Sequence, residues 1–330
     1  MKTYSITIKP RSPFGTPLKG DTIFGQLCWQ LVNDPALAAV PFEALIAEYA
    51  ATPFAVVSSA FPAFADGIFA LKRPEAPLET VFDFSGMSKE QVIENRKKLK
   101  KKKWLICRNS QIPSFKSASW LDDNELIEQA GIDLKKFVSK EEFSHNSINR
   151  LTGTTTGDGF APFATDNTVY APGTLLTLFV CLDEAKLPLQ SILTALKQIG
   201  LMGFGRDAST GMGKFDVTGH SEIDLCKTAA AGANALYTLA PSVPAAELYS
   251  DALFTPFTRF GRHGDRLAIS GKPFKNPVIM LDEAALLFPR DIQQALQKPY
   301  AGSAVTGLSK IESATVCQGY APYIPVRMEV

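Results

Sequence analysis

Alternating apolar and polar positions begin the chain and predict its first strand. Tyr4, Ile6 and Ile8 alternate with polar residues, the period of two that is typical of a strand with one buried face. The next apolar residues recur at helical spacing and predict one face of a helix: Ile23, Phe24, Leu27, Cys28 and Leu31. This helix is predicted to begin near Gly20, with Asp21 or Thr22 as its N-cap.

Three further segments complete this pattern later in the chain. Residues 174–182 form an apolar run that predicts a buried strand, and residues 188–199 have apolar positions at helical spacing. Residues 214–218 alternate like a short strand. A β-α unit at the start and a β-α-β unit at the end are together typical of a ferredoxin-like fold with a large insertion.

The sequence therefore predicts an α+β protein with two tandem ferredoxin-like domains. The first spans residues 1–222 with an insertion over about 72–170, because residues 104–170 have few clean periods and are expected to lie outside the core. Small polar residues at 219–234 predict a linker, and residues 235–330 predict the second domain. Strands of this second domain are expected near 253–260, 265–270, 278–282, 314–318 and 324–329.

Composition narrows the class of protein without naming a function. The 330 residues are 45% hydrophobic, the mean hydropathy is +0.02, and the formal net charge is +1, so any contact with a polyanion must come from local clusters. Five scattered cysteines without a CxxC pair support neither a zinc site nor a disulfide framework. No apolar run is long enough to span a bilayer, and we expect a reducing cytoplasmic location.

The richest chemistry lies in the glycine-rich segment 200–215. Two Gly-x-Gly pairs surround an arginine, two hydroxyls and a lysine: Gly203, Gly205, Arg206, Ser209, Thr210, Gly211, Gly213 and Lys214. Glycine permits positive φ and close backbone approach, so several amide groups can converge on one phosphate. The segment follows a helix and precedes a strand, the reverse of a mononucleotide-binding loop. The alternative is a tight connection whose glycines serve turn geometry alone.

Two other segments have residue types that suit RNA. Lys19, Gly20 and Thr22 at a helix start would place free amide groups at the positive end of a helix dipole. Residues 145–159 collect imidazole, amide, guanidinium and hydroxyl groups in one loop, and the predicted RNA-binding residues there are His145, Asn146, Arg150 and Thr152. Arg150 carries most weight because its planar fork can bind a phosphate bidentately.

Two further basic clusters are weaker candidates for RNA binding. Seven of the eight residues 96–103 are basic, but they lie at a predicted helix C-terminus, where the dipole favours cations. Secondary candidates for an RNA or partner surface are Arg259, Arg262, His263, Arg266, Lys272 and Lys275.

Four ordered motifs together resemble one known family. They are residues 17–29 (PLKGDTIFGQLCW), 145–153 (HNSINRLTG), the glycine-rich segment, and 319–326 (GYAPYIPV). In this order they resemble the RAMP-superfamily subunit of type III-A CRISPR (Csm) effector complexes that caps the 5′ end of the guide RNA. The resemblance implies two RRM-like RAMP domains and binding to the 5′ handle of the crRNA. It also implies docking between the large palm-domain subunit and the backbone RAMP subunit, near the target RNA.

The same resemblance implies a subunit without catalysis, and we expect neither a cofactor nor a metal. One alternative is a metal-independent endoribonuclease that processes crRNA, with His145 as general acid or base and Arg206 or Lys214 stabilising the transition state. A nucleotide-binding enzyme is disfavoured by the order of strand and helix around the glycines and by the absence of a GK[ST] triplet.

Overall fold

A computed structural model describes residues 1–107, 114–131, 136–155, 159–227 and 232–328 of the chain. The helices are α1 Gly20–Asn33, α2 Phe42–Glu48, α3 Leu78–Val81, α4 Lys89–Leu99, α5 Asp123–Ala130, α6 Leu189–Met202 and α7 Ile292–Ala295. The strands of the first half are β1 Lys2–Pro10, β2 Ala55–Val57, β3 Phe61–Ala63, β4 Phe69–Lys72, β5 Trp104–Cys107, β6 Trp120–Leu121, β7 Val138–His145, β8 Phe163–Tyr170, β9 Leu175–Leu182 and β10 Phe215–Glu222. Those of the second half are β11 Ala235–Thr238, β12 Tyr249–Leu253, β13 Pro256–Arg259, β14 Val278–Leu281, β15 Leu286–Pro289, β16 Tyr300–Gly302 and β17 Tyr320–Val326.

The first sheet is antiparallel and has ferredoxin-like strand order. Its order is β10-β1-β9-β3-β4-β5-β6, with β2 also paired to β9. Strands β10, β1 and β9, followed by β2 and β3, give the 4-1-3-2 order of that fold, and α1 packs against α6 on one face. The predicted alternation in β1 is confirmed, because Tyr4, Ile6 and Ile8 are buried.

The apolar face predicted for α1 also packs into the core, but its N-cap differs from the expectation. Ile23, Phe24, Leu27 and Leu31 are buried, whereas Lys19 is the N-cap and provides no side-chain cap. Asp21 lies inside the first turn, where its carboxylate bonds an arginine from the second half of the chain. The prediction of Asp21 or Thr22 as N-cap is therefore wrong.

The predicted insertion contributes to the core more than its sequence indicates. Strands β5 and β6 extend the first sheet beyond β4, and Leu105, Trp120 and Leu126 are buried. The expectation that residues 104–170 lie outside the core is therefore wrong for these elements. By contrast, β7 and β8 form a separate two-stranded hairpin that is mostly exposed, and the Phe14–Thr168 bridge connects it to the segment after β1.

The second sheet keeps the same strand order without the long helices. Its order is β12-β15-β11-β17-β16, so β17, β11, β15 and β12 stand in the 4-1-3-2 arrangement. Between these strands the described residues form one short α-helix, α7, and 3-10 turns. The α+β class is confirmed, whereas a second complete ferredoxin-like domain is not. Of the strands expected here, 265–270 contains a 3-10 helix, and 314–318 contributes an isolated bridge between Val305 and Cys317.

The two halves share a hydrophobic core. One cluster of buried residues joins Phe61 and Phe179 of the first sheet to Tyr237, Leu286 and Ile324 of the second. The predicted linker 219–234 begins inside β10, and its residues 228–231 lie outside the described part of the chain, as do residues 329–330 of the last expected strand.

A side-chain amide connects the same two halves by hydrogen bonds. The Val57 amide donates to Gln318 Oε1 at 2.9 Å, and Gln318 Nε2 donates to the Val57 carbonyl at 2.7 Å. Gln318 is fully buried, so these bonds satisfy polar groups that would otherwise be unpaired inside the protein.

Candidate functional site

The glycine-rich loop after α6 is a tightly closed connection. Gly203, Gly205, Gly211 and Gly213 all have positive φ, as does Asp207. A side chain at Gly213 would overlap the backbone of Phe204, whose amide donates to the Gly213 carbonyl at 3.0 Å. Gly213 therefore serves the packing of the loop on itself. Gly211 differs, because a Cβ there would meet no atom of the described residues within 4 Å.

Several loop amides that we expected to bind a phosphate are bonded within the protein. The Arg206 amide donates to Thr16 Oγ1 at 2.9 Å, and the Gly213 amide donates to the Pro13 carbonyl at 2.7 Å. The Lys214 amide donates to Ser12 Oγ at 2.8 Å. These bonds hold the loop against residues 12–16, so the prediction that these amides converge on an anion is wrong. The side chains of Ser209 and Lys214 remain exposed.

Arg206 connects the glycine-rich loop to the hairpin. Its Nη2 donates to the Asp166 carbonyl at 2.7 Å and to Asn167 Oδ1 at 3.3 Å, while Nε lies 3.4 Å from Asp207 Oδ2. The side chain is nevertheless 43% exposed, so part of the guanidinium faces solvent. Thr210 is exposed, and its hydroxyl donates to the Asp207 carbonyl at 2.9 Å.

The start of α1 is occupied by protein groups. A side chain at Gly20 would overlap the Val57 carbonyl oxygen, and the Gly20 amide donates to Ser59 Oγ at 3.3 Å. The Lys19 ammonium binds Asp282 and lies 3.1 Å from Glu283. Lys19 and Gly20 therefore connect the start of α1 to both halves of the chain. The Gly20 amide, which we expected to be free for a phosphate, is bonded to Ser59.

Asp21 forms the most buried ion pair beside this helix start. Arg259 donates from Nε and Nη2 to its two oxygens at 2.6 and 3.0 Å, and the Asp21 side chain is only 2% exposed. Burial raises the pKa of Asp21 above its usual value, although the guanidinium of Arg259 opposes this effect. Arg259 and Lys19 each lie 4.9 Å from the ring centre of Phe257, which fixes the β13–β14 ribbon against α1.

These elements enclose a cleft of about 730 Å³, which we call the α1 cleft. The glycine-rich loop forms one wall, α1 forms the floor, and the β13–β14 ribbon with its connecting loop forms the other wall. The cationic side chains that line it come from the glycine-rich loop and from the ribbon with its connecting loop: Arg206, Arg259, Arg262 and Lys275. Thr22 and Gly205 line it too. The cleft therefore combines some of the main candidates with the secondary ones.

One histidine in the α1 cleft is uncharged at neutral pH. His263 is buried, and burial together with the neighbouring Lys275 lowers its pKa below the usual 6.5. Its Nε2 lies 2.8 Å from the Ser309 hydroxyl. His263 can therefore exchange hydrogen bonds with a ligand or with Ser309, while the positive charge of the cleft comes from arginine and lysine.

The segment 145–159 lies at the far end of the β7–β8 hairpin. His145 stacks on Phe163 with ring centres 5.2 Å apart, and its Nε2 lies 3.0 Å from Thr165 Oγ1. Asn146, Arg150 and Thr152 are exposed. Residues 156–158 of this predicted segment lie outside the described part of the chain. None of these candidates lines the α1 cleft, but Arg206 contacts the middle of the same hairpin at Asp166 and Asn167, next to the Thr165 that His145 contacts.

The basic run 96–103 is largely neutralised by neighbouring carboxylates. Arg96 pairs with Glu79, Lys98 with Glu94, Lys102 with Glu125, and Lys103 with Asp123. These contacts favour the interpretation of the run as a structural helix end over an RNA or partner surface.

Two features of the cleft escaped sequence reasoning. The pairing of Asp21 with Arg259 joins residues 238 positions apart, and no local pattern indicates it. Trp29, which received no role in the sequence analysis, lines the cleft and lies close to Gly264, where an added Cβ would be 2.8 Å from the indole nitrogen. An aromatic residue on the polar side of an amphipathic helix was the available signal.

The described residues contain neither a candidate metal site nor a candidate membrane-spanning helix. No group of three or more His, Cys, Asp or Glu side chains is arranged to hold a metal ion in the described ranges. None of the helices in that part of the chain is both long and apolar enough to cross a membrane.

Comparison with solved structures gives full-length matches. A chain of the crystal structure of the Csm1-Csm4 cassette in complex with pppApA has 17% identity and a TM-score of 0.56, and the match covers 100% of the present chain and 99% of that chain. A chain of the Csm3-Csm4 subcomplex in the type III-A CRISPR-Cas interference complex has 12% identity and a TM-score of 0.56, with 99% and 100% coverage. No protein-family model and no curated protein matches the chain.

At these identities the matches establish the fold. The chain has, along its whole length, the fold of a component of these type III-A CRISPR assemblies. The resemblance found in the sequence motifs is confirmed at that level.

Proposed function

We propose that the chain is an RNA-binding subunit of a type III-A CRISPR effector complex. In this proposal it holds the 5′ handle of the crRNA and bridges the large palm-domain subunit to the backbone RAMP subunit, close to the target RNA. Csm4 is the component named in both the Csm1-Csm4 cassette and the Csm3-Csm4 subcomplex. A chain of that fold would accordingly contact two different partners, which supports the bridging role.

The observation that carries the RNA-binding part is the α1 cleft. Its volume of about 730 Å³ is that of a ligand-sized site, and Arg206, Arg262 and Lys275 line it from opposite walls. The net charge of the chain is only +1, so this concentration of cations is local. Asp21 adds little negative charge there because Arg259 neutralises it. Guanidinium and ammonium groups around a groove are typical of sites for a single-stranded phosphate backbone.

The phosphate contacts in this proposal come from side chains. The amides of Arg206, Gly213 and Lys214 are already bonded, so the glycines shape the loop that presents Arg206 to the cleft. Asn146, Arg150 and Thr152 form a second contact region at the end of the β7–β8 hairpin, where exposed donors are available to RNA.

We also propose that the subunit is non-catalytic. In the endoribonuclease alternative His145 would need an acid–base partner. Within the described residues its ring contacts Thr165 and Phe163, neither of which supplies a second titratable group near pH 7. This arrangement supports binding over cleavage.

The binding test compares two variants that each remove one positive charge. Arg206→Ala should weaken binding of a repeat-derived guide RNA by about 1–2 kcal/mol and lower the salt dependence by about 0.7 in the logarithmic slope, as expected for one lost phosphate contact. Lys97→Ala is the control, because Lys97 is exposed on α4, away from the cleft. It should leave both quantities unchanged.

Fluorescence anisotropy at several salt concentrations measures both effects, and circular dichroism checks that each variant is folded. Equal losses in the two variants, or none in Arg206→Ala, would contradict the proposed site. Incubation of the same RNA with the protein tests the non-catalytic part. Specific cutting that His145→Ala abolishes would favour the endoribonuclease.

A further inference from the structure

Gly25 is a glycine in the middle of a long helix that no protein packing explains. A glycine at such a position lowers helix stability relative to alanine, so it usually reflects a close approach. Gly20 in α1 and Gly200 in α6 fit this rule, because a side chain at either would overlap a backbone carbonyl oxygen of Val57 or Phe215. At Gly25 an added Cβ would meet no atom of the described residues within 4 Å.

Gly25 lies where the α1 cleft opens into a second chamber. This chamber has a volume of about 410 Å³ and lies between α1, α2 and the segment 306–316. It shares with the α1 cleft a set of lining residues that marks the junction of the two spaces: Gly25, Trp29, His263, Lys275 and Val316. Gly25 therefore forms part of the α1 side of this junction.

The second chamber combines aromatic and apolar walls with a polar rim. Trp29 and Phe42 supply aromatic surface, and Cys28 contributes a neutral side chain because burial raises the pKa of its thiol to about 12. Glu43 and Glu312 at the rim can accept hydrogen bonds. A flat group with apolar faces and hydrogen-bonding edges fits such a lining, and an unstacked nucleobase has these properties.

We propose that one unpaired nucleotide of the bound RNA lies against α1 at Gly25, with its base in the second chamber and its phosphate toward Lys275 at the junction. This inference rests on the proposed function, since it assigns a base-binding site next to the phosphate-binding cleft. Gly25 leaves room for the sugar to approach the helix backbone, which explains why the position has no side chain.

Continuity with the cationic cleft favours RNA over a segment of a partner protein. The chamber is entered from a space lined by Arg206 and Arg262, and Lys275 stands at the junction itself. An anionic ligand with an aromatic part uses both the cations and the aromatic walls. An apolar protein segment would use only the walls.

The test uses two substitutions at Gly25 in the full chain. Gly25→Ala adds one methyl group in open space and Gly25→Leu adds a branched side chain that obstructs the junction. Both replace glycine with a better helix former, so neither is expected to unfold α1. We expect Gly25→Ala to bind a fluorescein-labelled single-stranded RNA of the handle sequence within about twofold of the wild type. Gly25→Leu should bind it at least about tenfold more weakly, the loss expected when one stacked base is excluded.

A scan of single abasic positions in the same oligonucleotide identifies the base. One abasic position should weaken binding to the wild type about as much as Gly25→Leu does, and the two changes should not add when combined. The inference is overturned if Gly25→Leu binds the intact RNA like the wild type, or if it weakens every abasic oligonucleotide equally.

A third result would assign the chamber to a protein segment and also overturn the inference: unchanged RNA affinity of Gly25→Leu with lost assembly onto a neighbouring subunit. The Arg206→Ala comparison keeps the two proposals apart. If Arg206→Ala weakens binding and Gly25→Leu does not, the proposed function stands and this inference fails.

Discussion

Removing Arg259 should strongly destabilise the protein because it leaves the Asp21 carboxylate buried without its partner. The Asp21 side chain is 2% exposed and receives both hydrogen bonds of the guanidinium, at 2.6 and 3.0 Å. Loss of one partner from a buried pair typically costs about 3–5 kcal/mol of folding free energy. Arg259→Ala should therefore lower the free energy of unfolding by about that amount.

Removing Asp21 instead of Arg259 should lower the free energy of unfolding by less, because the two partners differ in exposure. The Arg259 side chain is 23% exposed, so in Asp21→Ala its guanidinium can bind water. We expect a loss of about 1.5–3 kcal/mol, the usual cost of a hydrogen bond to a charged group. In the double variant neither charge is left unpaired, and its loss should be smaller than the sum of the two single losses.

The Arg259→Ala penalty should also depend on pH. Burial raises the pKa of Asp21 in the folded protein, and Arg259 opposes that rise. A carboxyl group with a raised pKa in the folded state loses stability as pH rises from its ordinary value of 3.8 through the folded pKa. Without Arg259 the folded pKa is higher still, so the penalty should be smaller at about pH 4.5 than at pH 7.

Urea denaturation of the four proteins at both pH values measures these differences. Additive losses, or an Arg259→Ala loss below about 1 kcal/mol at pH 7, would refute the reasoning, because either result means that Asp21 finds another partner or water. A penalty that does not change with pH would show that the carboxylate is not the group left uncompensated.

Two other predictions concern the loop and the charge cluster. Gly213→Ala should prevent stable folding because its Cβ would overlap the backbone of Phe204. Gly211→Ala, at φ +95° in open space, should cost only about 1–3 kcal/mol of backbone strain. Thermal unfolding of the two variants separates these effects, and equal losses of stability would contradict the packing role of Gly213. Burial raises the pKa of Glu283, but Lys72 more than offsets this effect and the pKa lies below the usual 4.5. The contribution of Glu283 to stability is therefore present above pH 4.5 and is lost as pH falls toward the folded pKa. Glu283→Gln should flatten that part of the stability curve, and an unchanged curve would contradict the assignment.

Local periodicity predicted the elements of the first sheet that surround its core. Strands β1 and β9 and helices α1 and α6 were recognisable because each buries one face or both, and burial imposes a regular apolar spacing. The β7–β8 hairpin is not buried in this way, and its sequence therefore lacked the regular apolar spacing. It is mostly exposed, so its residues show no apolar alternation.

The candidate site was predictable in its residue types but not in its contacts. Arg206 was predicted to bind phosphate, and it does line a cationic cleft. The role of the loop amides depended on acceptors at residues 12–16, which are about 200 positions distant in the sequence. Lys19 was likewise predicted to bind RNA, but its ammonium pairs with Asp282 and Glu283 from the other half of the chain. Only the fold decides which charges are already paired.

The position of β17 has a consequence for how the protein is made. All seven residues of this strand are buried between β11 and β16, and Gln318 just before it bonds Val57 of the first half. During synthesis on the ribosome, β11 and the apolar surface shared by the two sheets stay uncovered until β17 has been made. A premature stop shortly before Tyr320 should therefore yield an aggregating product instead of a shortened native one, and nascent chains should depend on chaperones until β17 has left the ribosome.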